Sequence, residues 1–284
     1  MTAILSIQSS VAYGHVGNSA AVFPLMRMGV EVWPVLTVHF SNHTEYETYR
    51  GPLLAASDIA DVISGVDERG VLSDCDALLS GYLGGQDVGA VVTDAAALVR
   101  RRNPSALYCC DPVMGDVGIG FFVRAGIPEF FRDTVIPVAD VITPNLFELE
   151  FLSGRSVTDL ASLLAAVDAV RERGPRTVLV TSAIQADTAP DSLDLIAVDD
   201  EGAWSVTTPL LPVRTTGCGD ITAATFLAHL LSGEGLAAAL ERTAASVFGV
   251  LEQTAQAQSS ELVLVQAQDE FVKPRHTFTA RRIR

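Results

Sequence analysis

The stretch at 215–224 reads TTGCGDITAA, and an apolar run with small side chains continues from it to Leu231. Glycines that flank a tight turn let successive main-chain N–H groups point at one spot, where the dipole of the following helix adds partial positive charge. Asp220, in the first turn of that helix, is placed to accept the proton of a hydroxyl group that attacks a phosphorus atom. The stretch therefore predicts a phosphoryl-transfer site. The alternative is that Asp220 only caps the helix, which is the better interpretation of an isolated GxGD.

The rest of the chain alternates between two hydrophobic periodicities, which predicts an α/β fold with a mostly parallel sheet covered on both faces. Two late runs, 193–199 and 203–211, follow each other without a helix and predict an antiparallel edge. Pro34 predicts an edge strand or a bulge, and the polar stretch 185–192 predicts a mobile surface loop. Strand character is found at 3–8, 30–40, 77–83, 106–113, 139–145 and 177–183, and helical character at 18–28, 58–69, 88–102, 157–173 and 236–252.

Length and composition favour one domain spanning residues 1–284, because 284 residues with 49% hydrophobic content bury a full core. No window is apolar enough for a membrane span, and the N-terminus lacks the features of a signal peptide, so we expect a cytoplasmic protein. The four cysteines form no CxxC pair, which fits a reducing compartment. Cys109 and Cys110 lie in an apolar strand run, where we expect them to be buried and inert.

The net charge of -15 argues against nucleic acid or an anionic membrane as partner, because the long-range field repels both. The same field repels a nucleotide triphosphate, so a phosphate site needs local positive potential from main-chain N–H groups, a helix N-terminus or a bound cation. Lys273 is the only lysine, and it follows no glycine-rich turn. This excludes a Walker-type P-loop, whose lysine is obligatory.

Polar residues follow five of the predicted strands. In open α/β sheets, ligands bind beyond the carboxyl ends of the strands, so these residues predict one shared cleft. They are Ser9-Ser10, Gly81-Tyr82, Asp111, Thr143–Asn145 with Glu148, and Thr181-Ser182.

Two motifs resemble the signature of the ribokinase superfamily. TTGCGD at 215–220 resembles its catalytic turn, and NLFE at 145–148 resembles its NxxE motif, with DPVMGD at 111–116 upstream. The resemblance implies a ribokinase-like three-layer αβα sandwich. Within the superfamily, IQSSVAYGHVGNSAAVFPL, VWPVLTVHFSNHT, LSGYLG and CDPVMGD resemble pyridoxal kinases, and the similarity runs from residue 3 to about 255.

The resemblance implies ATP-dependent phosphorylation of the 5'-hydroxymethyl group of pyridoxal or a related B6 vitamer. Asp220 matches the general base, and Gly217, Cys218 and Gly219 match the anion hole. Relatives commonly have a different small residue at the position of Cys218. We expect the Cys218 side chain to act as a small neutral thiol. Alternatively, Tyr82 is a half-buried aromatic residue of the sheet, and His15 and His43 only cap loops. The positions that match the vitamin site are Ser9, Val16, His43, Thr44, Tyr82 and Asp220, with Phe40 as a weaker candidate.

The resemblance also implies ATP and Mg²⁺ as cofactors. Because Mg²⁺ keeps several waters, we expect no closed cage of protein ligands. Some bacterial relatives have a lysine at Thr181-Ser182, and its absence here makes a K⁺ requirement a further expectation. The positions that match the nucleotide site are Asp111, Asn145, Glu148, Thr181, Ser182 and Thr216, and those that match the metal site are Asp111, Asp116 and Glu148.

Three alternatives stay open. A sugar or nucleoside kinase of the superfamily usually has an N-terminal Gly-Gly motif and a β-lid, whereas the first loop here reads SSVAYGHVGN and residues 39–57 are too few for a large lid. A hydroxymethylpyrimidine kinase is harder to exclude, because its substrate ring is of similar size. A non-catalytic B6-binding protein would not need the general base.

The resemblance further implies a homodimer.

Overall fold

A computed structural model describes residues 1–186 and 188–284. Strands and helices alternate along most of the chain, as predicted. The strands are β1 (Ala3–Val11), β2 (Glu31–Phe40), β3 (Ala77–Ser80), β4 (Leu107–Cys110), β5 (Gly115–Asp116), β6 (Gly120–Phe121), β7 (Val141–Ile142), β8 (Thr177–Ala183), β9 (Ser192–Val198), β10 (Ala203–Pro209) and β11 (Arg281–Arg282). The helices are α1 (Asn18–Arg27), α2 (Ala56–Glu68), α3 (Gln86–Arg102), α4 (Ile127–Phe130), α5 (Leu146–Ser153), α6 (Leu160–Arg171), α7 (Cys218–Leu231) and α8 (Leu236–Gln256).

The central sheet is mixed, with the order β11-β10-β9-β8-β7-β4-β3-β1-β2. The strands from β2 to β8 in this order pair in parallel, whereas β9, β10 and β11 pair antiparallel at one edge. The predicted mostly parallel sheet with an antiparallel edge is therefore confirmed. β2, which contains Pro34, is the opposite edge strand, and its pairing with β1 is irregular between Gln8 and Ser10.

Helices cover both faces of the sheet, which confirms the predicted three layers. On one face α2, α3, α5 and α6 pack on strand residues such as Leu78 and Cys110. On the other, α1, α7 and α8 pack on residues such as Leu79 and Cys109. Adjacent residues of one strand thus enter different cores, which is why these strands read as continuous apolar runs. Cys75, Cys109 and Cys110 are buried free thiols, as expected for the strand pair.

Several elements differ from the predicted ones. The predicted runs at 106–113 and 139–145 end earlier as strands, so that Asp111 and Thr143 lie just beyond β4 and β7. The hairpin β5–β6 and the edge strand β11 were not predicted. No large lid sheet is inserted between β2 and α2 in the described residues, as expected. The predicted loop 185–192 lies between β8 and β9, and its residue 187 is outside the described residues.

The parallel strands place their carboxyl ends along one edge of the sheet, and the residues that follow them meet there.

Within residues 1–186 and 188–284, no helix combines the length and the apolar character that crossing a bilayer requires.

Candidate active site

A cavity of ≈ 300 Å³ opens at the carboxyl ends of the parallel strands. Every candidate residue named from the sequence for catalysis, substrate, nucleotide or metal lies in its wall. Phe40 also lines it, whereas His15 lies outside the wall. The residues from the first half of the chain are Ser9, Val16, His43, Thr44, Tyr82, Asp111 and Asp116, and those from the second half are Asn145, Glu148, Thr181, Ser182, Thr216, Gly217, Cys218, Gly219 and Asp220.

The turn before α7 requires glycine at position 217. Gly217 has a φ of 85° and is the N-cap of the helix, where no side chain makes a capping hydrogen bond. A Cβ atom at this position would lie 1.9 Å from the carbonyl oxygen of His15. The turn is thus closely packed against the first loop. Asp220 is the third residue of α7 and lines the cavity, so the interpretation of Asp220 as a simple helix cap does not describe this helix.

Gly17 was not predicted as a site residue, although it shapes the cavity. Its φ is 52°, and a Cβ atom there would lie 2.4 Å from the main-chain oxygen of Ser9. The main-chain N–H of Gly17 favours the ionised form of Asp220. The signal in the sequence was the GHVGN stretch directly before the first helix, where a glycine at the N-cap with a positive φ permits this close approach.

Three carboxyl groups of the cavity have raised pKa values: those of Asp220, Asp111 and Glu148. Burial raises the pKa of Asp220 to about 6, against the opposing effect of the Gly17 N–H. Burial, and then the charge of Asp220, raise the pKa of Asp111 to about 7, although Thr143 donates a hydrogen bond of 2.8 Å to its Oδ1. A carboxylate whose pKa lies just below neutrality is a suitable proton acceptor near pH 7.

Asn145 and Glu148 form a capping box at the start of α5. The Asn145 side chain accepts a hydrogen bond from the Glu148 N–H at 2.9 Å, and Oε2 of Glu148 accepts one from the Asn145 N–H at 3.0 Å. Oε1 of Glu148 accepts a third from the N–H of Met114 at 2.9 Å. The NxxE motif therefore ties α5 to the loop after β4. Burial and the charge of Asp111 raise the pKa of Glu148.

The cavity wall is acidic. Among the described residues it contains Glu45, Asp111, Asp116, Glu148 and Asp220 but no lysine or arginine. A polyanionic ligand can bind in such a cavity only together with cations, because its negative charges and those of the carboxylates repel strongly in a partly buried site. Within the described residues no group of three or more His, Cys, Asp or Glu side chains is arranged to hold a metal ion. The oxygen atoms of these carboxylates are the kind of donor that Mg²⁺ prefers.

The wall near β1 and β2 is largely apolar. Tyr82 and Val16 pack against a small buried cluster of Val11, Val38 and Phe40. Ser9 is buried beside this cluster, and Thr44 is exposed at its rim. A flat apolar wall with single polar groups is typical of sites for aromatic small molecules.

The opposite rim includes the hairpin β5–β6 and the end of β8. Asp116 is exposed in the hairpin, and its Oδ1 accepts a 2.7 Å hydrogen bond from the Val117 N–H. Ile119 and Phe122, which were not predicted, are exposed beside it and line the cavity. Ser182, at the end of β8, has a φ of 50°, which is uncommon for a residue other than glycine. Thr216 has a buried hydroxyl without a hydrogen-bond partner among the described residues.

Comparisons with known proteins found related kinases. Residues 69–263 match the family model described as phosphomethylpyrimidine kinase. The pyridoxal kinase PdxY of Rubrobacter xylanophilus is 57% identical over 281 residues, covering 99% of this chain and 97% of that protein. The corresponding protein of Leifsonia xyli is 51% identical, covering 99% of each chain. A solved pyridoxal kinase from Leishmania donovani, in complex with ADP and pyridoxine, superposes with a TM-score of 0.92 at 29% identity and covers 99% of each chain.

Fold and site together define a small-molecule kinase of ribokinase-like fold: a three-layer sandwich, a glycine-rich turn at a helix N-terminus and an aspartate in its first turn. The sequence identities to the curated relatives extend over nearly the whole length of the chain, and they narrow this class of kinases to one family. The chain belongs to the pyridoxal kinase family.

Proposed function

We propose that this protein transfers the γ-phosphoryl group of ATP to the 5'-hydroxymethyl group of pyridoxal, within a single kinase domain spanning residues 1–284. One observation carries the proposal: Asp220, the Gly217–Gly219 turn and the apolar wall with Ser9 and Tyr82 all line one cavity. The relatives named pyridoxal kinase and the Leishmania donovani complex with ADP and pyridoxine support it.

In this reaction Asp220 takes the proton of the 5'-hydroxyl group while the hydroxyl oxygen attacks the γ-phosphorus. The bond between that phosphorus and the β–γ bridging oxygen breaks, and ADP carries away the electron pair. The main-chain N–H groups of Gly217, Cys218 and Gly219, at the positive end of the α7 dipole, stabilise the charge on the transferring group. Tyr82 and the apolar cluster hold the ring, and Ser9 offers it a hydrogen bond.

Asp111, Asp116 and Glu148 are the proposed holders of Mg²⁺, in part through waters, and Asn145, Thr181, Ser182 and Thr216 complete the nucleotide side. The ion would neutralise the triphosphate and the charge that develops on it. The acidic wall, which has no lysine or arginine among the described residues, supports this assignment. So does the Thr216 hydroxyl, which has no hydrogen-bond partner in the same part of the chain. Both oxygens of Glu148 already accept main-chain hydrogen bonds, so contact through water suits this residue best.

A second candidate substrate is hydroxymethylpyrimidine, because the family model that matches residues 69–263 is described as phosphomethylpyrimidine kinase. The two candidates share the site chemistry and differ in the ring that the apolar wall accepts. Higher kcat/KM for hydroxymethylpyrimidine than for pyridoxal and pyridoxine, measured side by side, would reverse the assignment.

The deciding experiment is ATP-dependent formation of pyridoxal 5'-phosphate by the wild type and by Asp220→Asn. We expect product from the wild type and a loss of about 10²- to 10⁴-fold in the variant, the usual contribution of a general base. Asp94→Asn, an exposed residue of α3, is the control. Binding of pyridoxal by isothermal titration without any ATP turnover would favour the non-catalytic alternative.

Three further expectations stay predictions: the first two rest on the resemblance and the third on features of the sequence. A K⁺ ion takes the place of the lysine that some relatives have at Thr181-Ser182, and equal rates with and without K⁺ would count against it. The protein forms a homodimer, which sedimentation would test. It acts in the cytoplasm, and the four free thiols are in keeping with a reducing compartment.

A further inference from the structure

Glu261 is a buried carboxylate that lies far along the chain from the cavity residues and has no role in the chemistry described above. It is 7% exposed and follows α8. Its Oε1 accepts hydrogen bonds from Nε2 of His43 at 2.9 Å and from the hydroxyl of Tyr46 at 2.7 Å. Its Oε2 accepts one from the main-chain N–H of His15 at 3.1 Å. One side chain thus joins two loops to the segment after α8.

The first of these loops, residues 12–17, contacts the catalytic turn directly. The carbonyl of His15 lies against Gly217, and Gly17 lies against Ser9. Gly14 is also required beside Glu261, since a Cβ atom there would lie 2.5 Å from Oε2. The carboxylate therefore sits against the loop that shapes the Asp220 side of the cavity.

The second loop, residues 41–50, is named the substrate flap here. Its base is closed by Ser41 and Arg50, which are joined by hydrogen bonds of 2.6 and 2.9 Å. The flap contains no helix or strand, and its residues His43, Thr44 and Glu45 line the cavity. A loop of this kind needs anchors at its tip to hold a defined position. The bonds from His43 and Tyr46 to Glu261 are such anchors.

We propose that Glu261 is a positioning residue for the vitamin substrate: it clasps the tip of the substrate flap to the 12–17 loop and so fixes His43 and Thr44 over the cavity. The proposal rests on the proposed function for its kinetic readout. Because the carboxylate accepts the proton-bearing Nε2 of His43, it also sets the tautomer of a neutral ring, leaving Nδ1 as the acceptor. Nδ1 of His43 is buried and has no partner among the described residues.

A purely structural role is the alternative, since a buried carboxylate with three hydrogen-bond donors also stabilises a fold. The two roles differ in what a substitution changes. Loss of a fold-stabilising bond lowers stability and acts on both substrates alike. Loss of the clasp releases the flap and weakens binding of the vitamin, while the nucleotide side at β4, β7 and β8 keeps its geometry.

The test compares Glu261→Ala and Glu261→Gln with Glu252→Gln. Glu252 is a matched control, because it accepts a 2.9 Å hydrogen bond from Nε2 of His276 and lies outside the cavity wall. We expect Glu261→Ala to raise KM for pyridoxal roughly tenfold, with KM for ATP and kcat changed less than about twofold. Glu261→Gln keeps one acceptor oxygen, so its increase should be smaller. Glu252→Gln should leave both KM values unchanged.

Limited digestion with chymotrypsin supplies a readout that does not depend on activity. We expect cleavage after Tyr46 or Tyr49 to be several-fold faster in Glu261→Ala than in the wild type and the control. An unchanged KM for pyridoxal together with unchanged cleavage would overturn the clasp, as would equal increases in both KM values. If Glu261→Ala does not fold, Tyr46→Phe and Glu261→Gln give the same comparison. A wild type that bound but never phosphorylated pyridoxal would refute the proposed function, while the digestion would still decide on the clasp.

Discussion

Asp111 and Asp220 interact within one cavity, and after burial it is the charge of Asp220 that raises the pKa of Asp111 to about 7. Burial raises the pKa of Asp220 itself to about 6. Two carboxyl groups that titrate one after the other near neutrality are unusual, because the ordinary pKa of an aspartate is about 3.9. Both groups are therefore sensitive to pH in the range where the protein works.

The first prediction concerns the pH dependence of activity. Asp220 accepts a proton only when it is ionised, so we expect kcat/KM for pyridoxal to fall as the pH drops below about 6, approaching tenfold per pH unit. Initial rates between pH 5 and 8.5 give the midpoint. Enzyme that is held at pH 5 and then assayed at pH 8 serves as the control for irreversible unfolding. A midpoint near pH 4 would contradict the assignment of this group.

The second prediction concerns stability. The folded-state pKa of Asp220 lies above the unfolded value, so the protonated form is favoured by folding, and that contribution is lost as the pH rises from about 4 through about 6. Asp220→Asn removes the buried charge, and we expect its free energy of unfolding at pH 8 to exceed that of the wild type by about 3 kcal/mol.

Urea unfolding at pH 4 and pH 8, without added cations, measures this difference. At pH 4 the wild-type carboxyl group is protonated, and the two proteins should be nearly equal in stability. A variant that is less stable than the wild type at pH 8 would show that the aspartate stabilises the fold instead.

The third prediction concerns the thiol in the catalytic turn. Burial and the neighbouring charge of Asp220 raise the pKa of Cys218 to about 12, so the thiol is neutral at pH 7. We expect Cys218→Ala to keep activity within about threefold, since the anion hole is built from main-chain N–H groups. Steady-state kinetics would check this. A loss as large as that of Asp220→Asn would give the sulfur a chemical role.

The fourth prediction compares two glycines. A Cβ atom at Gly17 would meet Ser9 at 2.4 Å, and its φ of 52° disfavours other residues, so we expect Gly17→Ala to destabilise the protein by more than about 1 kcal/mol and to lower activity. Gly65, inside α2, has open space around it, and Gly65→Ala should stabilise the protein by about 0.5–1 kcal/mol. Thermal unfolding of both variants, together with activity, tests the pair.

Most of the fold could be predicted from the sequence, because the spacing of hydrophobic residues reflects which side chains are buried. Strands with both faces covered, such as β8, appear as apolar runs, and amphipathic helices such as α2 and α3 repeat at helical spacing. The short α5 was recognised only as a motif, since its eight residues carry no clear amphipathic pattern. The strands of the hairpin β5–β6 have two residues each, which is too short for a period-2 pattern. β11 is defined by its pairing with β10, which lies far back in the chain, and no local pattern records that pairing.

The positions that line the cavity were predictable for a topological reason: residues in the last part of parallel strands or just beyond them meet at one edge, as Ser9, Asp111 and Thr181 do. Close approaches between segments that are distant in the sequence could not be predicted. Gly17 matters because Ser9 lies against it, and Glu261 bonds to partners 218 and 246 residues away. Such contacts arise from packing, so a single sequence carries no periodic signal for them.

The acidic wall has a consequence for turnover. A phosphate ester made in this cavity adds negative charge beside five acidic side chains, and among the described residues the wall has no lysine or arginine to hold it. Where no cation compensates this charge, the acidic side chains would repel the ester. Release of the phosphorylated product should thus be faster than from a site that holds its phosphate with lysine or arginine.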